Sequence, residues 1–351
     1  MKKYLSSFIF SVSFFLFAPP ASAHEAYVLT RQEFDKGLQI NSTNPFAALF
    51  DPSHLTLTAI ITICVVSSYL LIILWSTTKY AAILDKIIKK AKVIGPLIIR
   101  LAISSSFFYA AQANAVLGPE LSLAHLPGGE IVRLLEFVMA FMVFFGVFVE
   151  IAAFIGIGIF FYISWQYGWY LLTYLNYFGE LIVLLLFGSK YISFDRFFFG
   201  KKLIIKGLEK FKEYETPIVR ILYGCALIYA GYTIKFQHQI LSVWVYNQYH
   251  LKDFFHASAE FIAAGAGLSE ITIGLFIILG FVMRFTILIS LVFITLSLMY
   301  FHEMLWPHFM LYGISFSLLI NSADKLTIDK YLSPWVGSIL KKIFKPIRRR
   351  K

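Results

Sequence analysis

The sequence predicts an all-α polytopic membrane protein built from two parallel four-helix units preceded by one transmembrane helix. Three observations carry that expectation. The composition is 59% hydrophobic and only 15% charged, with 37 phenylalanines, and the mean hydropathy is +0.74, far from the balance of a soluble domain. The basic residues collect in Lys79 to Lys92, Lys190 to Lys212 and Lys341 to Lys351, each beside an apolar segment. Charged and glycine positions also recur at fixed offsets along the second and third thirds of the chain. The formal charge of +11 is thus arranged as a positive-inside distribution, and no nucleic-acid recognition pattern accompanies it.

In chain order, residues 1–23 read as a signal peptide. Lys2 and Lys3 precede an apolar run from Leu5 to Ala18, and Ala21-Ser22-Ala23 offers a small-residue cleavage site; an uncleaved anchor is the alternative. Residues 24–54 form a polar exported arm. The segment 55–76 contains the run Leu55 to Trp75, long enough at 1.5 Å per residue to cross a core of about 30 Å. It delivers the chain to the lysine-rich stretch at 79–92 on the cytoplasmic side. A first unit at 95–200 holds spans at Pro96 to Val116, Ile131 to about Phe154, 157–172 and 175–188. A linker at 201–216 follows, then a second unit at 217–335 with spans near 217–236, 255–282, 285–301 and 307–321. The tail 336–351 ends in Arg348, Arg349, Arg350 and Lys351, where each basic residue near anionic lipid contributes roughly 1 kcal/mol. Nine spans place every basic cluster on one side. The expected location is a bacterial-type inner membrane, with the mature N-terminus periplasmic, the C-terminus cytoplasmic and the lipid bilayer as the first partner.

The two units match at an offset of 120, where Arg100, Tyr109, Ala110, Leu121, Ser122, Glu150 and Ile151 meet Arg220, Tyr229, Ala230, Leu241, Ser242, Glu270 and Ile271. After a longer loop in the second copy the offset becomes 134, and Gly179, Leu185, Asp195 and Arg196 meet Gly313, Leu319, Asp329 and Lys330. A four-span unit has both ends on one side, so tandem copies lie parallel.

Arg220 opens a helix that closes on Gly231-Tyr-Thr-Ile-Lys235. Gly267-Leu-Ser-Glu270 follows, and Lys325-Leu-Thr-Ile-Asp329 ends the unit, paired in the first copy with Tyr191-Ile-Ser-Phe-Asp195. This pattern resembles the DoxX/DoxD family of four-helix bacterial membrane proteins, once per half over about 95–335. The first copy departs from it, with Ala111 to Ala115 where the second has Gly231 to Lys235. The resemblance implies an accessory or quinone-associated subunit in redox or oxidative-stress physiology, acting beside a membrane redox partner. It does not by itself imply catalysis.

A carboxylate in mid-membrane needs a partner or a proton, because an ionised Asp there costs about 2.5–3.5 kcal/mol on insertion scales. Glu150 and Glu270 are therefore read in two ways: as proton or quinone hydrogen-bonding sites, or as clamps, with Arg100 and Arg220 completing the intramembrane polar core. For Glu270, neighbouring Ser269 and Thr272 are further clamp partners. Glu180 is another buried acid, private to the first copy.

All eight histidines fall on or near the outer face in this topology. That pattern supports the competing reading, an outer-face metal-handling or transport protein binding copper or zinc. His302, Glu303 and His308 flank one short turn, and His256 and Glu260 are spaced to share a helix face. His24, as a mature N-terminus, could offer its amine and ring nitrogen to one copper ion. The stretch Phe160 to Tyr170 reads as an interfacial aromatic belt, with a quinone-lining role as the alternative. Cys64 and Cys225 both lie inside apolar segments, and no thiol chemistry is expected of them.

Overall fold

A computed structural model describes residues 28–188, 193–199, 208–321 and 326–343. The signal-peptide segment, His24 and the terminal Arg348, Arg349, Arg350 and Lys351 lie outside the described residues.

Among the described residues the regular structure is helical apart from one short antiparallel hairpin. The helices are α1 (Arg31–Gly37), α2 (Ala47–Phe50), α3 (Pro52–Ser76), α4 (Lys79–Lys89), α5 (Gly95–Gln112), α6 (Gly129–Phe145), α7 (Val149–Tyr167), α8 (Leu175–Phe187), α9 (Phe194–Phe199), α10 (Glu215–Tyr232), α11 (Ile240–Gln248), α12 (Ala259–Leu279), α13 (Met283–Tyr300), α14 (Leu305–Ile320) and α15 (Asp329–Ile343). The hairpin pairs β1 (Ala115–Val116) with β2 (Gly118–Ser122). Five stretches are long and apolar enough to cross a bilayer: Pro52–Ser76, Val149–Phe187, Lys210–Gln237, Ala259–Leu279 and Met283–Tyr300. The pair Lys79–Lys92 and Gly95–Gln112, bent by 58°, makes a sixth if taken together. The chain is thus a multi-pass membrane protein. Nine full-length spans are not present among the described residues, since α6, α8 and α14 have only 17, 13 and 16 residues, fewer than the roughly 20 that a bilayer requires.

Val149–Phe187 doubles back within itself. Gly168 ends α7, a 3₁₀ stretch over Gly168–Tyr174 turns the chain, and α8 returns with Phe178 stacked on Phe160 at 5.0 Å. The expected span from Ile131 to Phe154 is likewise two helices. Gly146, at φ 71° and ψ 45°, stops α6, and α7 starts at Val149. Only glycine adopts that left-handed geometry without steric cost, so it ends helices.

Eight helices close a ring. Along the chain α5, α6, α7, α8, α10, α12, α13 and α14 each pack on the next, and α14 closes on α5. The fourth helix of each set therefore packs against the first helix of the other, and the two sets interlock. Close approach is made by small residues: Gly224 faces Gly274, and Gly231 faces the Gly267 carbonyl, across α10 and α12, while Gly313 of α14 faces Ala102 of α5. The centre is filled by buried apolar side chains including Ile103, Phe107, Met139, Ile163, Leu181 and Ile314.

Outside the ring, α3 exposes Leu55, Ile60, Ile63, Val66, Leu70 and Leu74, as a lipid-facing helix does. It is anchored by Tyr69, whose hydroxyl meets Thr286 at 3.2 Å. The N-terminal arm is folded rather than extended. Thr30 and Glu33 form a capping box on α1, and Leu29 and Phe34 are buried against Ile234, Leu241 and Val245.

Candidate functional site

The buried arginines hold helix ends rather than glutamates. Arg220, 1% exposed, donates to the carbonyls of Ile277 (2.8 Å), Ile278 and Leu326 (3.1 Å). A guanidinium suits that task because its fork presents several fixed donors to the negatively polarised C-terminal carbonyls of α12. Arg100 occupies the corresponding place in the first set, buried in α5 with its Nη1 against the Gly146 turn that ends α6.

Those two turns are alike in detail. Gly146-Val-Phe148 and Gly280-Phe-Val282 both begin with a left-handed glycine (φ 71° and 62°) and end with a left-handed non-glycine residue (φ 46° and 45°). A bulky residue in that region is strained, and for Val282 the β-branch adds to it. The strain is held by an aspartate in each case. Asp195 accepts the Phe148 N–H at 2.8 Å, and Asp329 accepts those of Val282 (2.7 Å) and Met283 (2.9 Å). The terminal Ser/Thr-hydrophobic-Asp pattern thus has a structural task, N-capping the third helix of each set. Desolvation raises the Asp329 carboxyl above its ordinary value, against the two N–H donors and the charges of Arg284 and Arg220. Asp329→Ala is expected to lower stability by about 1–2 kcal/mol, whereas Asp329→Asn keeps the cap and loses less; thermal unfolding of the purified protein in lipid nanodiscs measures both.

Matching Gly146 to Gly280 and Asp195 to Asp329 sets the offset at 134 from the second helix of each set onward. The change from 120 therefore falls in the outer connection, where the first half has the β1–β2 hairpin and the second half has the longer α11 segment. Consequently Glu150 and Glu270 do not occupy equivalent places. Glu150 is in the first turn of α7, its carboxylate against Gly188, where a helix N-terminus favours negative charge. Glu270 lies mid-helix in α12, and the residue at its level in α6 is Glu136, which the offset-120 alignment passes over.

The clamp expected between Glu270 and Arg220 is replaced by a pair with Lys235, at 3.1 Å. The antiparallel packing explains this. Arg220 faces the end of α12 at Ile277, seven residues from Glu270 and so roughly 10 Å away along the axis. Lys235 lies at the opposite end of the same helix pair, in a π-helical turn over Thr233–Gln237. Such turns redirect side chains and often mark functional positions. Glu180 is fully buried in α8.

Between the two sets, on the side of the expected outer loops, is a narrow cavity of ≈ 70 Å³ lined by Tyr170, Tyr174, Tyr177, Asn176, Tyr223, Pro307, His308 and Leu311. The His308 ring is fixed at both nitrogens: Nδ1 lies 2.9 Å from the Met304 carbonyl and Nε2 contacts the Glu303 carboxylate. Glu303 also accepts the Ser297 hydroxyl. Opposite, Tyr177 pairs with Ser106, and Tyr223 lies 3.2 Å from Ser290 and 3.3 Å from Ser315. Tyr170 (3.0 Å) and Tyr174 donate to Glu120, whose backbone carbonyl accepts Arg31 of the N-terminal arm. The stretch from Phe160 to Tyr170 therefore divides. Trp165 and Trp169 are 87% and 79% exposed, while Tyr170 donates inward to Glu120.

The remaining metal candidates are dispersed. His256 is exposed and precedes the Ser258 N-cap of α12, so it shares no helix face with Glu260, which is also exposed. His302 is exposed, whereas Glu303 and His308 are buried. Among the described residues no group of three His, Cys, Asp or Glu side chains is placed to hold a metal ion.

The fold and this interface define an α-helical multi-pass membrane protein with a tyrosine-lined cavity between two interlocked helix sets. Compared with protein-family models, curated proteins and solved structures, the chain matches none.

Proposed function

We propose that the protein is a DoxX-like inner-membrane subunit, arisen by tandem duplication, that serves a membrane redox partner by engaging a quinone head group at the outer cavity. One observation carries the reading: a histidine backed by a carboxylate and four tyrosines line a single cavity. A quinone exchanges protons at two ring oxygens, so it needs a donor–acceptor on each side. His308 with Glu303 has the form of a general acid–base pair, which serves a ring oxygen once Nε2 turns from Glu303 to the cavity, and Tyr177 supplies a second hydroxyl-bearing ring in the lining. The enclosed volume admits a ring edge, with the rest of the ring and its tail lying in the mouth. In this reading the signal peptide is removed, the cavity opens to the periplasm and the basic segments lie in the cytoplasm.

The test is quinone content after mild extraction, quantified against protein. The wild type and His302→Ala are expected to retain quinone in stoichiometric amount, and His308→Ala is expected to lose at least ten-fold. Equal content in all three, or none in the wild type, overturns the reading.

A further inference from the structure

Besides Glu180, which the second set replaces with Ile314, the two helix sets differ in the partner of one buried acid. Glu136 lies in the middle of α6, fully buried, and neither of its oxygens has a hydrogen-bond partner among the described residues. Glu136 and Glu270 each stand ten residues before the glycine of the shared turn, but only Glu270 has a cation. The position matching Lys235 in the first set is Ala115, where the chain enters β1 instead of a π-helical turn. The first set keeps the acid and lacks the base. A bare carboxylate enclosed among apolar helices is strongly disfavoured unless a charge, donors or a proton compensates it.

The charged groups on the packed elements do not supply that compensation. On α5, Arg100 is at the Gly146 turn. On α6 itself, Arg133 donates to the Ala111 carbonyl at 3.0 Å and lies 3.5 Å from Glu130. On α7, Glu150 is at the far end beside Gly188, and the Tyr162 hydroxyl is taken by the Pro127 carbonyl. On α5, Tyr109 packs against Phe108 and Phe309. From α8, Glu180 is a second fully buried acid and brings no positive charge, and the Tyr177 hydroxyl stands within electrostatic reach of both Glu136 and Glu120.

We infer that Glu136 is a proton-binding site, protonated in the resting protein and reached from the outer cavity through Tyr177. Tyr174 packs against Tyr177 at 6.0 Å between ring centres and donates to Glu120, and the Tyr177 hydroxyl pairs with Ser106, so these hydroxyl and carboxyl groups cluster on the outer side of Glu136. Phenolic and serine hydroxyls can accept one proton while releasing another, which suits a relay and excludes hydrated ions. Uptake transfers a proton from outer water to the carboxylate, and release reverses it. No other reactant is consumed, and the assignment stands whether or not a quinone binds.

Infrared spectroscopy of the protein in lipid tests this directly. The wild type is expected to show the carbonyl stretch of a protonated carboxylic acid at neutral pH, shifting on transfer to D₂O. In Glu136→Gln that band loses one carboxylic-acid equivalent, and Glu270→Gln leaves it intact. Glu136→Asp provides a second readout, since the band moves instead of vanishing. In Tyr177→Phe the D₂O shift is expected to slow at least ten-fold. A band unchanged in Glu136→Gln, or absent from the wild type, overturns the site; an unchanged exchange rate in Tyr177→Phe overturns the route.

Discussion

Lys235→Met is expected to destabilise the protein by about 3–5 kcal/mol, the cost of leaving one member of a buried ion pair unpaired. The Lys235 side chain is only 8% exposed and that of Glu270 28%, so solvent can rescue neither well. The lysine stem also packs over Gly267, where any added Cβ would approach Lys235 Cβ to 2.9 Å. Methionine fills that space without the charge, which isolates the electrostatic part of the loss. The double variant Lys235→Met with Glu270→Gln is then expected to recover more than half of it, because a neutral amide needs no counter-charge. Thermal unfolding in nanodiscs compares the three proteins. A single variant within about 1 kcal/mol of wild type, well below the cost of unpairing a buried ion pair, would show that the pair is not formed in the membrane.

Arg220→Met should be similarly costly, about 3–5 kcal/mol, through a different route. It removes charge-assisted donors, worth roughly 1.5–3 kcal/mol each before relaxation, from three carbonyls that end α12 and follow α14. Lysine at this position cannot bridge the same set, since an ammonium lacks the planar fork, and Arg220→Lys is expected to restore less than half. Because Leu326 stands three residues before Asp329, the loss should also loosen the cap on α13. Hydrogen exchange at Val282 and Met283 would report this, and unaltered protection there would separate the arginine from the cap.

The class of fold was legible because membrane helices announce themselves by composition, and basic clusters mark one face. The arginines and the terminal aspartates were also found, since charged residues recurring in order within apolar sequence are rarely accidental. Their tasks were not. Pairing Arg220 with Glu270 assumed that residues prominent in sequence meet in space, whereas antiparallel packing separates them and brings up Lys235. Glu136 was missed because Glu150 matched Glu270 by offset alone. The signal that would have found it is Gly146 against Gly280: a left-handed glycine fixes register more strictly than an apolar match does. The Glu303–His308 contact came from sequence proximity, but the tyrosines facing it belong to helices distant in the chain. No local pattern records that meeting.

The closure of α14 on α5 also sets a timetable. α5 is among the first ring helices to leave the ribosome, but about 190 residues separate its end from the start of the helix that covers it. At about 5–20 residues per second, its Ala102 face waits on the order of 10–40 s in lipid before Gly313 arrives. During that interval the nascent chain carries an open edge, available to a neighbouring copy or to an insertion factor. The last ring helix to be synthesised therefore acts as the latch of assembly, and a chain truncated before Leu305 would remain permanently in the unlatched state.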